Sequence, residues 1–124
     1  MTCSGCIMVV DDDADIRESL REYIQDLGCQ VVVAVDGVHA LECLDVCPPP
    51  CLILLDLNMP RLDGEGFLRS VRGDACRRCL AIASMTAGEH RGLPRETEAH
   101  LRKPFALADL EKLTVRFCRD AAHD

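Results

Sequence analysis

Short runs of unbroken apolar residues recur along this chain, and each gives way to a segment of helical period. Residues 7–10, 31–35 and 51–55 carry no charge, and 80–84 repeats the pattern with smaller side chains. Such runs, four or five residues long and bounded by Gly, Pro or Asp, read as strands buried on both faces. Between them Ile16, Leu20, Ile24 and Leu27 recur at helical spacing, and Gly28 supplies a helix stop. Val38 to Val46 is a second helix, with Ala40, Leu41 and Leu44 on one side, ended by Pro48-Pro49-Pro50. Phe67, Leu68 and Val71 mark a third helix after Asp63-Gly64. Residues 88–98 hold two glycines and a proline, so the fourth helix is expected to be short or irregular. Ala99 to Arg102 is a last short strand, and Leu107, Leu110, Leu113 and Phe117 mark a final helix. Strands alternating with helices imply an α/β fold, a doubly wound parallel sheet of five strands with helices on both faces.

A chain of 124 residues fits one domain, taken as 1–124. With no Trp and 3% aromatic residues, its core must be aliphatic. The net charge of −7 disfavours a nucleic-acid partner, which wants a basic face. No stretch is long and apolar enough to span a bilayer and no secretory leader is evident, so a cytoplasmic location is expected. The nine cysteines cannot all pair, and in that compartment free thiols are the expectation.

The chemistry gathers where strands stop. Asp11-Asp12 closes the first apolar run and Asp56 closes the third. In open parallel sheets, ligands bind outside the carboxyl ends of the strands. Three carboxylates at two such ends suggest a divalent-cation site, which can support phosphoryl chemistry. Thr86 lies past the fourth strand and Lys103 follows the fifth.

Four segments, in order and each at a strand end, carry a family resemblance. They are Val9-Val10-Asp11-Asp12-Asp13, Leu55-Asp56-Leu57-Asn58-Met59-Pro60 with Asp63-Gly64, Met85-Thr86-Ala87, and Arg102-Lys103-Pro104-Phe105. In these the chain resembles the response-regulator receiver domains of two-component signalling, in their stand-alone form. The resemblance implies strand order 2-1-3-4-5. It implies that Asp56 is the phosphoacceptor, taking a phosphoryl group from a histidine on a sensor kinase or phosphotransfer protein. Asp11, Asp12, Asp56 and the backbone carbonyl of Asn58 would hold Mg²⁺. Asp13 would be the helix N-cap rather than a metal ligand. Thr86 and Lys103 would contact the phosphoryl oxygens, and the Lys103–Pro104 bond would be cis. The chain uses Arg twelve times and Lys only at 103 and 112, so an ammonium stands at 103 against the compositional bias. The resemblance further implies a signalling protein rather than an enzyme, acting on a separate output protein. An aspartyl phosphatase would place a second acid two residues beyond the nucleophile, where Asn58 stands.

Two departures from the family pattern stand out. His100 occupies a position usually taken by Tyr or Phe, which implies a changed or weakened switch, or simply an exposed edge-strand histidine. The segment between Thr86 and Lys103 is also shorter than usual by more than a helical turn. Alternative readings are therefore a receiver fold that docks a partner without phosphate, and a redox- or zinc-responsive variant. The second rests on Cys3-x-x-Cys6 and Cys76-x-x-Cys79, and on Cys3, Cys29, Cys47, Cys51 and Cys76 falling near the strands' amino ends. Cysteine as a small apolar filler is the simpler expectation.

Overall fold

A computed structural model describes residues 5–58, 64–87 and 97–118. The order of elements is β1 (Cys6–Val10), α1 (Ala14–Asp26), β2 (Gln30–Ala34), α2 (Gly37–Val46), β3 (Leu52–Asp56), α3 (Gly64–Arg72), β4 (Ile82–Ala87), β5 (Ala99–Lys103) and α4 (Leu107–Cys118). The strands form one sheet in the order β2-β1-β3-β4-β5, and every pair is parallel.

Alternation along the strands divides the core in two. Ile7, Val9, Leu52 and Leu54 pack with Leu20 and Ile24 of α1 and Leu110 of α4. Met8, Val10, Ile53 and Leu55 pack on the other face with Ala40 of α2 and with Phe67, Leu68 and Val71 of α3. The central strand β3 is buried along its whole length, as an apolar run covered on both faces must be. Each fully buried Leu or Ile there contributes about 1.5–3 kcal/mol of burial. Gly28 closes α1 at φ 92°, a left-handed position that favours glycine.

Several boundaries differ from those expected. β2 begins at Gln30, because its N–H bonds Gly5 O at 3.1 Å, and ends before Val35, which is 43% exposed. β4 begins at Ile82 and runs on to Ala87, because β5 lies beside it and pairs Thr86 with Arg102 and Ala87 with Lys103. Thr86 therefore belongs to the strand rather than to the loop beyond it. Most of the expected fourth helix, 88–96, lies outside the described residues.

The cysteines also correct the expectation of free thiols. Cys51, just before β3, is bonded to Cys118 at the end of α4, with S–S 2.11 Å and Cα–Cα 5.3 Å. The two residues meet because α4 packs back along the sheet and ends over its amino edge. Cys29 is disulfide-bonded as well. A methyl group on Gly5 would sit 2.6 Å from Cys51 Sγ, so glycine leaves the room the bridge occupies. Cys6, Cys43 and Cys47 remain reduced and half-buried, and Cys76 and Cys79 are reduced and exposed. The filler reading thus fails for the last two, and Cys3 lies outside the described residues.

Candidate functional site

The carboxyl ends of β1, β3 and β5 converge on one acidic site. Asp11 follows β1 immediately and is fully buried; Asp56 is the last residue of β3 and is 4% exposed. Asp12 is exposed at the rim. One carboxylate oxygen from each of Asp11, Asp12 and Asp56 lies within 4.8 Å of the others, and this is the only such cluster of metal-ligating side chains among the described residues. A small hard cation takes carboxylate oxygens of this kind, and the donor set fits Mg²⁺.

Lys103, the last residue of β5, places Nζ 2.7 Å from Asp11 Oδ2 and 3.7 Å from Asp56 Oδ2. Its partner is thus mainly Asp11. That carboxylate also accepts a bond from the Asp13 N–H at 2.9 Å, and Arg17 donates to the Asp11 carbonyl at 2.8 Å. Asp13 turns away from the cluster and caps α1, accepting from the N–H groups of Asp15 and Ile16 at 2.9 and 3.3 Å. Asn58 enters through its backbone, its N–H donating to Asp56 Oδ1 at 2.9 Å.

Burial pushes the Asp56 carboxyl up to about 6, and the neighbouring Asp11 carboxylate adds to the rise. The Asn58 N–H and the Lys103 ammonium oppose it without cancelling it. A carboxyl in this range is still ionised for the most part at neutral pH, and its charge is poorly solvated. Gly64 keeps the start of α3 close behind it. A Cβ there would lie 2.5 Å from the Asp56 carbonyl oxygen and 2.6 Å from Leu57 Cα, which explains a small residue at that place.

The family model of the response regulator receiver domain matches residues 7–114. The chain belongs to the response-regulator receiver family. Among curated relatives, the receiver is 41% identical over 109 residues to the response regulator MprA of Mycobacterium tuberculosis. It is 42% identical over 107 residues to MprA of Mycobacterium ulcerans. Each match covers 84% of this chain and 46% of the relative, so the chain spans about half the length of the curated relatives it matches. Two solved structures are similar in fold. One is the receiver domain of a Pseudomonas aeruginosa sensor histidine kinase with a magnesium ion coordinated in its active-site cleft. It is 26% identical at TM-score 0.82, covering 94% of this chain and 98% of that one. The other is the response regulator TrrA of Thermotoga maritima in complex with Mg²⁺ and BeF. It is 26% identical at TM-score 0.80, covering 94% and 99%.

The structure brings Asp11, Asp12, Asp56, Asn58 and Lys103 of the receiver together, and the Lys103–Pro104 bond is cis. Thr86 is on the adjacent strand but turned the other way: its Oγ1 is 3.1 Å from His100 Nε2. His100 is half-buried rather than exposed, and its Nδ1 is 2.8 Å from Ser84 Oγ. Ser84 was not singled out from the sequence. The available signal was its position two residues before Thr86, on the same face of the strand.

Proposed function

We propose that residues 1–124 form a receiver domain that takes a phosphoryl group from a phosphohistidine onto Asp56. A carboxylate oxygen of Asp56 attacks phosphorus, the bond from phosphorus to the histidine nitrogen breaks, and an acyl phosphate forms while the imidazole leaves. Asp11, Asp12, Asp56 and the Asn58 carbonyl would hold Mg²⁺, which when bound offsets the charge of the phosphoryl oxygens. Lys103 shares its charge between Asp11 and the incoming oxygens. Burial of Asp56 leaves its charge underneutralised, so the pocket favours arrival of a cation and of further hydrogen-bond donors. The Thr86 hydroxyl donates to a phosphoryl oxygen once it leaves His100.

The donor is a sensor histidine kinase or a phosphotransfer protein. An open, mainly apolar groove of about 510 Å³ borders Lys103, lined by Ile16, Leu20, Ala87, Pro104 and Phe105 among others, and offers it a seat beside the acids. The acceptor of the signal is a separate output protein, met without direct nucleic-acid contact and in the cytoplasm. Among the described residues no helix is long and apolar enough to cross a membrane.

The observation that carries this reading is the joint approach of Asp11, Asp12 and Asp56 with Lys103 facing two of them. Acetyl phosphate should label the protein only with Mg²⁺ present, and Asp56→Asn should take no label. A native chain that stays unlabelled under those conditions refutes it. A redox-responsive variant is the second reading, favoured by the Cys51–Cys118 bridge. It requires that reduction with a dithiol change partner binding or labelling.

A further inference from the structure

Ser84 and Thr86 stand two residues apart on β4, so their hydroxyls share one face of the sheet. His100 is registered opposite Ser84 on β5. Its ring spans both hydroxyls, with Nδ1 2.8 Å from Ser84 Oγ and Nε2 3.1 Å from Thr86 Oγ1. Ser84 is fully buried and Thr86 is 2% exposed, so neither hydroxyl can exchange its partner for bulk water without movement. Ser84 is held further by the Ala99 carbonyl at 3.3 Å and lies 3.4 Å from Thr97 Oγ1. It is the fixed end of the bridge, and Thr86 is the end that can leave.

We propose that His100 is a positioning residue for phosphoryl capture. It holds the Thr86 hydroxyl toward β5, and this bond must be given up before Thr86 can turn toward Asp56. The proposal rests on the reading that Thr86 binds the phosphoryl group. Its direction comes from the sheet order: β4 lies between β3, which carries Asp56, and β5, which carries His100. A neutral imidazole has one donor and one acceptor nitrogen, and two hydroxyls complement either tautomer. A phenyl ring at 100 would fill the space and hold nothing. The net worth of one neutral hydrogen bond sets the expected size, about fivefold in the resting-to-engaged equilibrium.

The test titrates the full chain with beryllofluoride and Mg²⁺, a phosphoryl mimic, and follows the His100 ring nitrogens by ¹⁵N NMR. The native protein is expected to bind the mimic with a shift at Nε2 as the Thr86 bond is lost. His100→Phe should bind it about fivefold more tightly. Ser84→Ala, a smaller change that covers the case of a misfolded His100 variant, should tighten binding by less. His100→Gln, which keeps a donor and an acceptor, should stay near native. With Thr86→Ala in place, His100→Phe should have no further effect, a coupling that a purely structural role for the ring would not produce. Native binding with an unmoved Nε2 signal, or with equal or weaker binding in both His100→Phe and Ser84→Ala, overturns the proposal and leaves the phosphoacceptor reading standing. No binding of the mimic by the native chain overturns both.

Discussion

The two ends of the sheet are built on opposite principles. At the carboxyl ends of the strands, charged groups are brought close and left underneutralised: Asp56 and Asp11 are buried beside each other with one ammonium between them. At the amino ends, the Cys51–Cys118 bond ties β3 to the last turn of α4. Electrostatic tension of this kind suits the proposed arrival of a cation and a phosphoryl group. At the far end nothing offsets it, and a covalent tie adds stability instead. The contrast predicts that stability and the proposed chemistry of this receiver are separable, and it can be attacked from either end.

The largest expected effect is at the acidic end. Asp56→Asn should abolish labelling by acetyl phosphate, measured by mass shift, while leaving the far-ultraviolet circular dichroism unchanged. Residual labelling at another carboxylate would break the assignment of chemistry to this end.

The next is at the other end. A bridge across 67 residues removes denatured-chain entropy worth about 4 kcal/mol in the loop-closure model. Cys118→Ser should lower unfolding stability by up to roughly that amount in denaturant titrations, with labelling of Asp56 unaltered. A loss of labelling in parallel with stability would show that the two ends are not independent.

A third prediction concerns pH. Burial raises Asp56 to about 6 from 3.8, so between those values the native state binds more protons than the unfolded one. The stability that this group contributes is complete below about 4 and is lost as pH rises through about 6, at most about 3 kcal/mol. Metal-free protein should therefore lose stability over that window, and Asp56→Asn should flatten the loss. Mg²⁺ should restore stability above the window. A metal-free native profile that matches the Asn variant would show that Asp56 is not held in a poorly solvated state.

The smallest effect sharpens the boundary of the site. The Asp13 side chain caps α1, accepting from the Asp15 and Ile16 N–H groups, and the residue meets the cluster through its backbone N–H, which donates to Asp11. Asp13→Ala should cost about 1 kcal/mol of stability and leave Mg²⁺ affinity nearly unchanged. A tenfold fall in that affinity would enlarge the metal site to include it.

Much of the architecture was readable because parallel strands covered on both faces must be apolar throughout, as in Leu52–Leu55, and because helices need a stripe, as in Ile16, Leu20 and Ile24. The acids were readable for a related reason: a carboxylate that follows such a run can only lie at the edge of the sheet. The extension of β4 through Thr86 was not, since strand length there depends on a neighbour that arrives thirteen or more residues later. Ser84 was hidden too. A serine in an apolar strand has no local signature until the residue opposite it is known to be His100.

By itself, then, the sequence determined the alternation of strands and helices, the aliphatic core, and which strand ends bear the acids, because these follow from periodicity and from the cost of burying charge. Only the tertiary structure decided that Lys103 leans on Asp11 more than on Asp56, that His100 holds Thr86, and that Cys51 meets Cys118. Each of those is a contact between residues far apart in the chain. Its partner is chosen by strand order, register and helix packing, and no local pattern encodes that choice.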